Sequence, residues 1–275
     1  MRLYFPQWQG SGVEMAVREG AKSLKSYIEV QYGLPFEELE IESGTLDQNQ
    51  EILGLEAIKA NFRKLEELLQ QENPQEIYSI AGGCEVEIPV VSYLSRKYGK
   101  LSIIWFDAHG DLNSPSSSPS KMLHGMPLRF LLDPSVSAEG PFPYKAVLSP
   151  EQVLLVGIRD LDQPEERFIE KSGIRTLLPE QVEKQTVEEL LAVFTNQSET
   201  VYVHLDLDVL AMEEFDGVVC PTPGGHSVSK LLPMLDYLSQ ENLIVGMSLV
   251  ENTETDQAKL KKLDLLLSFF NKVSS

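Results

Sequence analysis

The chain has 275 residues, 42% of them hydrophobic and 24% charged, an ordinary globular balance with enough length for one large α/β domain or two small ones. Its formal net charge is −19, with 23 Lys and Arg against 42 Asp and Glu; such a surface repels phosphate backbones and anionic lipid, so neither nucleic acid nor membrane is an expected partner, while a small cation is attracted. No apolar run is long enough to span a bilayer, and the opening stretch MRLYFPQWQGSG lacks the apolar core and small-residue cleavage site of a signal peptide; with only Cys84 and Cys220 present, no disulfide framework is implied and a reducing cytoplasm is the expected compartment.

Strand-like and helix-like segments alternate along the chain. RLYFP opens as a strand, and a helical pattern follows through VEMAVREGAKSLKSYIEV. Residues 55–71, LEAIKANFRKLEELLQQ, repeat apolar positions at helical spacing and stop before Asn73-Pro74. The apolar strands EIYSIAGG, KLSIIWFD, QVLLVGIRD, TVYVHLDLD and NLIVGMSLVE come next, with helical patterns between most of them and a final one in DQAKLKKLDLLLSFFNKV. Continuous apolar strands separated by helices predict a parallel sheet covered on both faces. There is no composition break, internal repeat or heptad run, so one domain over residues 1–275 is expected. The single low-complexity stretch, NSPSSSPSK at 113–121, is a loop by its Pro and Ser content.

In an open parallel sheet the binding crevice lies outside the carboxyl ends of the strands, so those ends are where chemistry is sought. SIAGG ends in Gly82, Gly83, Cys84 and Glu85; IIWFD in Asp107, His109 and Asp111; LLVGIRD in Arg159, Asp160 and Asp162; VYVHLDLD in His204, Asp206 and Asp208; VGMSLVE in Glu251. One acidic strand end is commonly a helix cap. Two arrays of alternating Asp and His on separate strands are different, because converging carboxylates repel one another and neither array contains a Lys or Arg. A divalent metal, or two, resolves that conflict. Four Asp and one His form a hard, oxygen-rich donor set suited to Mn²⁺ or Mg²⁺, and four carboxylates suffice for two ions roughly 3.5–4 Å apart.

These residues, in this order, resemble the ureohydrolase family of arginase, agmatinase and formiminoglutamase, and the resemblance covers nearly the whole chain. DAHGD (107–111) is similar to the family's Asp-Ala-His-x-Asp, HLDLD (204–208) to its Ser-x-Asp-x-Asp, AGGCE to its Gly-Gly-Asp-His, LHGMPL (123–128) to its active-site histidine segment and LVENTE to its closing Glu segment. The resemblance implies a three-layer α/β/α sandwich around a mainly parallel eight-stranded sheet. It also implies two Mn²⁺ ions per chain, with Asp107 and Asp206 as bridging ligands, His109 and Asp208 completing one site and Asp111 the other. A hydroxide bridging the metals would attack a guanidinium carbon. His124 would carry a proton to the leaving amine and Glu251 would hold the guanidinium. Arginase is the nearest member in the substrate loops: Asn113 and Ser120 stand where the α-carboxylate of arginine is held, Asp162 and Glu165 near its α-amino group, and Thr222 at the matching threonine. The implied activity is hydrolysis of L-arginine to L-ornithine and urea. Agmatine, hydroxyarginine and formiminoglutamate are alternative substrates, and a catalytically silent binding member is the alternative from another class. A homo-oligomer, trimer or hexamer, is implied as well.

The chain departs from that pattern at three points. The family's histidine ligand after Gly-Gly-Asp is Glu85, and the Asp before it is Cys84; the third Asp of Asp-x-Asp-x-x-Asp-Pro is Ala211; an Asn that often accompanies the carboxylate contacts is Met122. Glu85 either ligates metal as a carboxylate or turns away and leaves one site weak. His204, two residues before Asp206, shares a strand face with the aspartates and either compensates, as ligand or supporting partner, or is a buried structural histidine. Cys84 among carboxylates has a raised pKa and is not expected to act as a nucleophile.

Overall fold

A computed structural model describes residues 1–12, 15–195, 199–241 and 243–275. Its strands are β1 (Arg2–Phe5), β2 (Glu37–Glu38), β3 (Gln48–Asn49), β4 (Ile52–Leu53), β5 (Ile77–Ala81), β6 (Ser102–Phe106), β7 (Val153–Val156), β8 (Arg175–Leu177), β9 (Thr200–Asp206) and β10 (Leu243–Val250). Eight of them form one sheet in the order β2-β1-β5-β10-β9-β6-β7-β8, every pair parallel, and β3 and β4 form a separate antiparallel pair.

Period-2 alternation along each strand sends successive side chains into two different cores. Tyr4, Ile80, Ile104, Leu154 and Val203 pack on one face beneath the helices Ala16–Tyr32, Val228–Glu241 and Asp264–Val273. Leu3, Phe5, Ile103, Trp105, Leu155 and Tyr202 pack on the other beneath Leu55–Glu72, Glu87–Tyr98 and Pro127–Leu132. The result is the α/β/α sandwich with eight strands. Both faces of β5, β6 and β7 are covered, which is why those strands read as unbroken apolar runs.

The edge strands were not legible in the sequence. β2 is two exposed glutamates paired with Leu3 and Tyr4, and β8 is Arg175-Thr176-Leu177 beside β7; short, charged edges discourage pairing with another chain. The first helix begins at Ala16, and Val13 and Glu14 at the head of its sequence pattern lie outside the described residues, as does Asn242 before β10. The last helical pattern divides into Gln257–Leu260, a tight turn Lys261–Leu263, and Asp264–Val273. One close approach matters for the site. Gly20 packs against the chain just after β10, where a Cβ would fall 2.0 Å from the Asn252 carbonyl oxygen, and Asn252 Nδ2 donates to Gly20 O at 2.7 Å.

Candidate metal centre and active site

The five polar strand ends belong to five consecutive strands, β5-β10-β9-β6-β7, so their donor groups converge at one edge of the sheet. Asp107, His109 and Asp208 bring donor atoms within 4.8 Å of one another. His109 Nδ1 lies 2.9 Å from Asp208 Oδ2 and 3.5 Å from Asp107 Oδ1. Each aspartate is aimed by backbone: Asp107 Oδ1 accepts from His109 N at 2.7 Å, Asp206 Oδ1 from Asp208 N at 2.7 Å, and Asp208 Oδ1 from Ala108 N at 3.0 Å. Trp105 Nε1 adds a 2.9 Å bond to Asp107 Oδ2.

A second group joins Cys84, Asp107, Asp111 and His204, and a third joins Cys84, Asp206 and Glu251; all six residues are buried. Asp111 Oδ2, His204 Nε2 and Glu251 Oε2 are buried without a hydrogen-bond partner. Burial, then the neighbouring carboxylates, raises the pKa of Asp111 and Asp206 and pushes Asp208 up to about 6. Burial lowers that of His109, but its hydrogen bonds to Asp107 and Asp208 more than offset this and hold it raised. Mutually repelling carboxylates and orphaned donor atoms facing one another are the condition a bound cation relieves, so these residues fit a two-ion centre. Asp111 and Glu251 also take backbone φ of +52° and +63°, left-handed values that a non-glycine residue holds at some expense.

Glu85 does not join them. It sits with Cys84 on the 3₁₀ turn Cys84–Val86, where successive side chains point about 120° apart, so the two take different directions. Cys84 does, its Sγ donating to Asp206 Oδ2 at 3.2 Å. Glu85 turns toward the N-terminal loop, where Oε1 accepts from Gly10 N at 3.2 Å and a Cβ on Gly10 would fall 2.1 Å from Glu85 Cδ. Burial and then Glu251 push its pKa up to about 8. Glu85 is thus in none of the three donor groups, whereas Cys84 beside it belongs to two of them.

Above the centre, His124 lies on the turn Leu123–Gly125, its N donating to Gly10 O at 3.1 Å and its Nδ1 3.3 Å from Glu251 Oε1. Burial lowers its pKa, and Glu251 and then Glu85 raise it, with a net upward shift. At the rim, Asn113 Nδ2 donates to Asp162 Oδ2 at 2.9 Å. Glu165 uses both oxygens on backbone, accepting from Leu112 N and Asp162 N at 2.9 Å each, so it braces the turn after Asp111. Ser120 also lines the cavity, which has a volume of about 290 Å³, together with Met122. Thr222 does not line it. Its half-buried side chain donates to Cys220 O at 3.0 Å, and its carbonyl accepts from Arg159.

A model of the arginase family matches residues 10–261. The chain belongs to the arginase family. An arginase from Staphylococcus aureus (strain COL) is 35% identical over 181 residues, 62% of this chain and 58% of that protein, so the match spans under two thirds of the relative's length. Among solved structures, an arginase from Bacillus caldovelox superposes with a TM-score of 0.84 at 23% identity, covering 99% of this chain and 96% of that one. A formimidoylglutamase from Bacillus subtilis subsp. subtilis str. 168 superposes at 0.76 with 18% identity, covering 100% and 87%. The likeness in fold to this family thus runs the whole length of the chain.

Proposed function

We propose that this arginase-family chain, acting as one domain, is a metal-dependent hydrolase of the C–N bond in a small guanidino compound, with L-arginine, giving L-ornithine and urea, the first candidate. The observation that carries this reading is the charge of the cavity. Asp111, Asp162, Glu165, Asp206, Asp208 and Glu251 line it, and among the described residues no Lys or Arg does. A phosphate or other anion has no partner there, whereas a planar guanidinium does. The volume is at the small end for ligand sites and suits an amino acid more than a peptide.

When bound, two cations at the base supply an activated water near neutral pH, and the oxygen and imidazole donors of Asp107, His109 and Asp208 suit Mn²⁺. Glu251 offers carboxylate oxygens to the guanidinium N–H groups and holds the carbon over the centre. His124, hydrogen-bonded to Glu251, holds a proton and delivers it to the departing amine nitrogen as the C–N bond breaks. Farther out, Asn113 and Ser120 offer polar groups for an α-carboxylate. Asp162, aligned by Glu165 and Asn113, faces an α-ammonium. A cytoplasmic homo-oligomer is part of the same reading. No helix among the described residues is long and apolar enough to cross a membrane.

One observation favours a second substrate. Met122 lines the cavity and puts an apolar thioether at the lip, which would tolerate a decarboxylated compound such as agmatine. The test is urea release from L-arginine and from agmatine after Mn²⁺ loading, with bound metal counted in the same sample. Urea from either supports the hydrolase, and the ratio of kcat/KM decides the substrate. Metal bound without urea from either refutes the proposed activity.

A further inference from the structure

We propose that Cys84 Sγ and His204 Nε2 are metal ligands, together replacing the histidine that Glu85 displaces, so that the ion held with Asp107 and Asp111 is bound through a thiolate and an imidazole. The inference rests on the reading of the strand-end cluster as a metal centre and goes beyond it in naming its donors and its ion.

The donor cluster supports the pair, and the setting of the His204 ring supports its imidazole in particular. Donor atoms of Cys84, Asp107, Asp111 and His204 lie within 4.8 Å of one another, with all four residues buried. His204 is fully buried, and its Nδ1 is 2.9 Å from Glu87 Oε1, also fully buried. In the tautomer that carries its proton on Nδ1, facing Glu87, Nε2 presents a lone pair. Nε2 has no hydrogen-bond partner and points at the cluster, 3.9 Å from Asp107 Oδ2. A carboxylate behind a histidine whose other nitrogen is free is the arrangement that fixes tautomer and ring direction for metal binding. The ring has no freedom to leave: it stacks on Trp105 with centroids 3.7 Å apart, and Ser248, which donates to Glu87, lies 3.3 Å from Nδ1. Most buried polar side-chain atoms find a partner, and what sets Nε2 of His204 apart is that the groups it faces are carboxylates of the cluster.

The chemistry balances. With no ion bound, the Cys84 thiol donates to Asp206. On coordination the S–H bond breaks, the proton passes to solvent, and the sulfur lone pair forms the metal–sulfur bond. The hydrogen bond to Asp206 is lost, which frees that carboxylate oxygen for the same centre. One thiolate and one imidazole beside two carboxylates make a borderline donor set, which selects Zn²⁺ or Co²⁺ over Mn²⁺. The two ions would then differ: a hard site at His109 and Asp208, and a softer one at Cys84 and His204.

Cobalt provides a readout that needs no turnover. Co²⁺ titrated into metal-free protein should develop a near-ultraviolet thiolate-to-cobalt charge-transfer band, and Cys84→Ser should abolish it while Cys220→Ser leaves it intact. Glu87→Gln keeps both donors, so it should retain the band but weaken Co²⁺ binding by about 10–100-fold. Circular dichroism of each variant checks the fold. In competition, Zn²⁺ should displace Mn²⁺ from this site at a lower concentration than from the other, and Cys84→Ser should narrow that difference. Two bound Co²⁺ ions without a band, or a band that survives Cys84→Ser, overturn the assignment and leave the hydrolase reading standing. Failure to bind Co²⁺, Zn²⁺ or Mn²⁺ at all overturns both.

Discussion

Replacing Glu85 by Gln should stabilise the metal-free protein, by an amount that grows as pH rises from about 4.5 to about 8. The carboxyl is fully buried, accepts one hydrogen bond from Gly10 N and leaves Oε2 unpartnered, and its pKa stands at about 8 against an ordinary 4.5. Below pH 4.5 it is protonated in both folded and unfolded chains and contributes no pH-dependent difference. Between the two values the folded chain retains a proton that the unfolded chain releases, so stability falls as pH rises. Above pH 8 the folded chain must bury the anion, and the loss is complete. The full gap corresponds to about 5 kcal/mol at most. Glutamine keeps an oxygen for Gly10 N and never ionises. If about half of that gap is recovered, Tm should rise by roughly 5–10 °C at pH 9, taking 2–4 °C per kcal/mol for a chain of this size. The assay is thermal unfolding, followed by circular dichroism, of EDTA-treated wild type and Glu85→Gln at pH 5 and pH 9. A gain at pH 9 that disappears at pH 5 is expected. An equal offset at both pH values, or a loss at pH 9, would refute the placement of a buried, proton-holding Glu85.

Gly10→Ala should be among the most damaging small substitutions, since its Cβ would fall 2.1–2.5 Å from three atoms of the Glu85 carboxyl group; urea denaturation should show a loss of about 1–3 kcal/mol, and Glu85→Ala should rescue part of it. His124→Asn should lower kcat by about 10²–10⁴-fold while bound metal, counted by mass spectrometry, is unchanged, because His124 touches Glu251 and belongs to none of the metal-holding groups. Trp105→Phe keeps an aromatic ring beside His204 but removes the Nε1 bond to Asp107, so apparent metal affinity should fall by about tenfold with the fold retained. Asp162→Asn should raise KM for L-arginine more than for agmatine, which has no α-ammonium to lose; equal changes for both would remove Asp162 from substrate recognition.

Much of this molecule is written along the chain. Unbroken apolar runs such as IIWF and VYV can only be buried on two faces, and helical patterns between them require parallel crossovers, so every strand must deliver its carboxyl end to one edge of the sheet. The Asp and His residues that follow those runs are therefore identifiable as one cluster from the sequence. Sequence could not say that the five strand ends are consecutive in space, because β9 and β10 insert between β5 and β6 long after both have been passed in the chain. Nor could it see β2 and β8, whose two and three residues carry no periodicity. The directions of the Cys84 and Glu85 side chains were decided by tertiary structure alone. A 3₁₀ turn sends neighbouring side chains in different directions, and the missing Cβ of Gly10 opens the space that receives the carboxyl group. The same holds for His204: its place on the strand was plain, but only the packing of Trp105, Glu87 and Ser248 around the ring directs Nε2 at the aspartates.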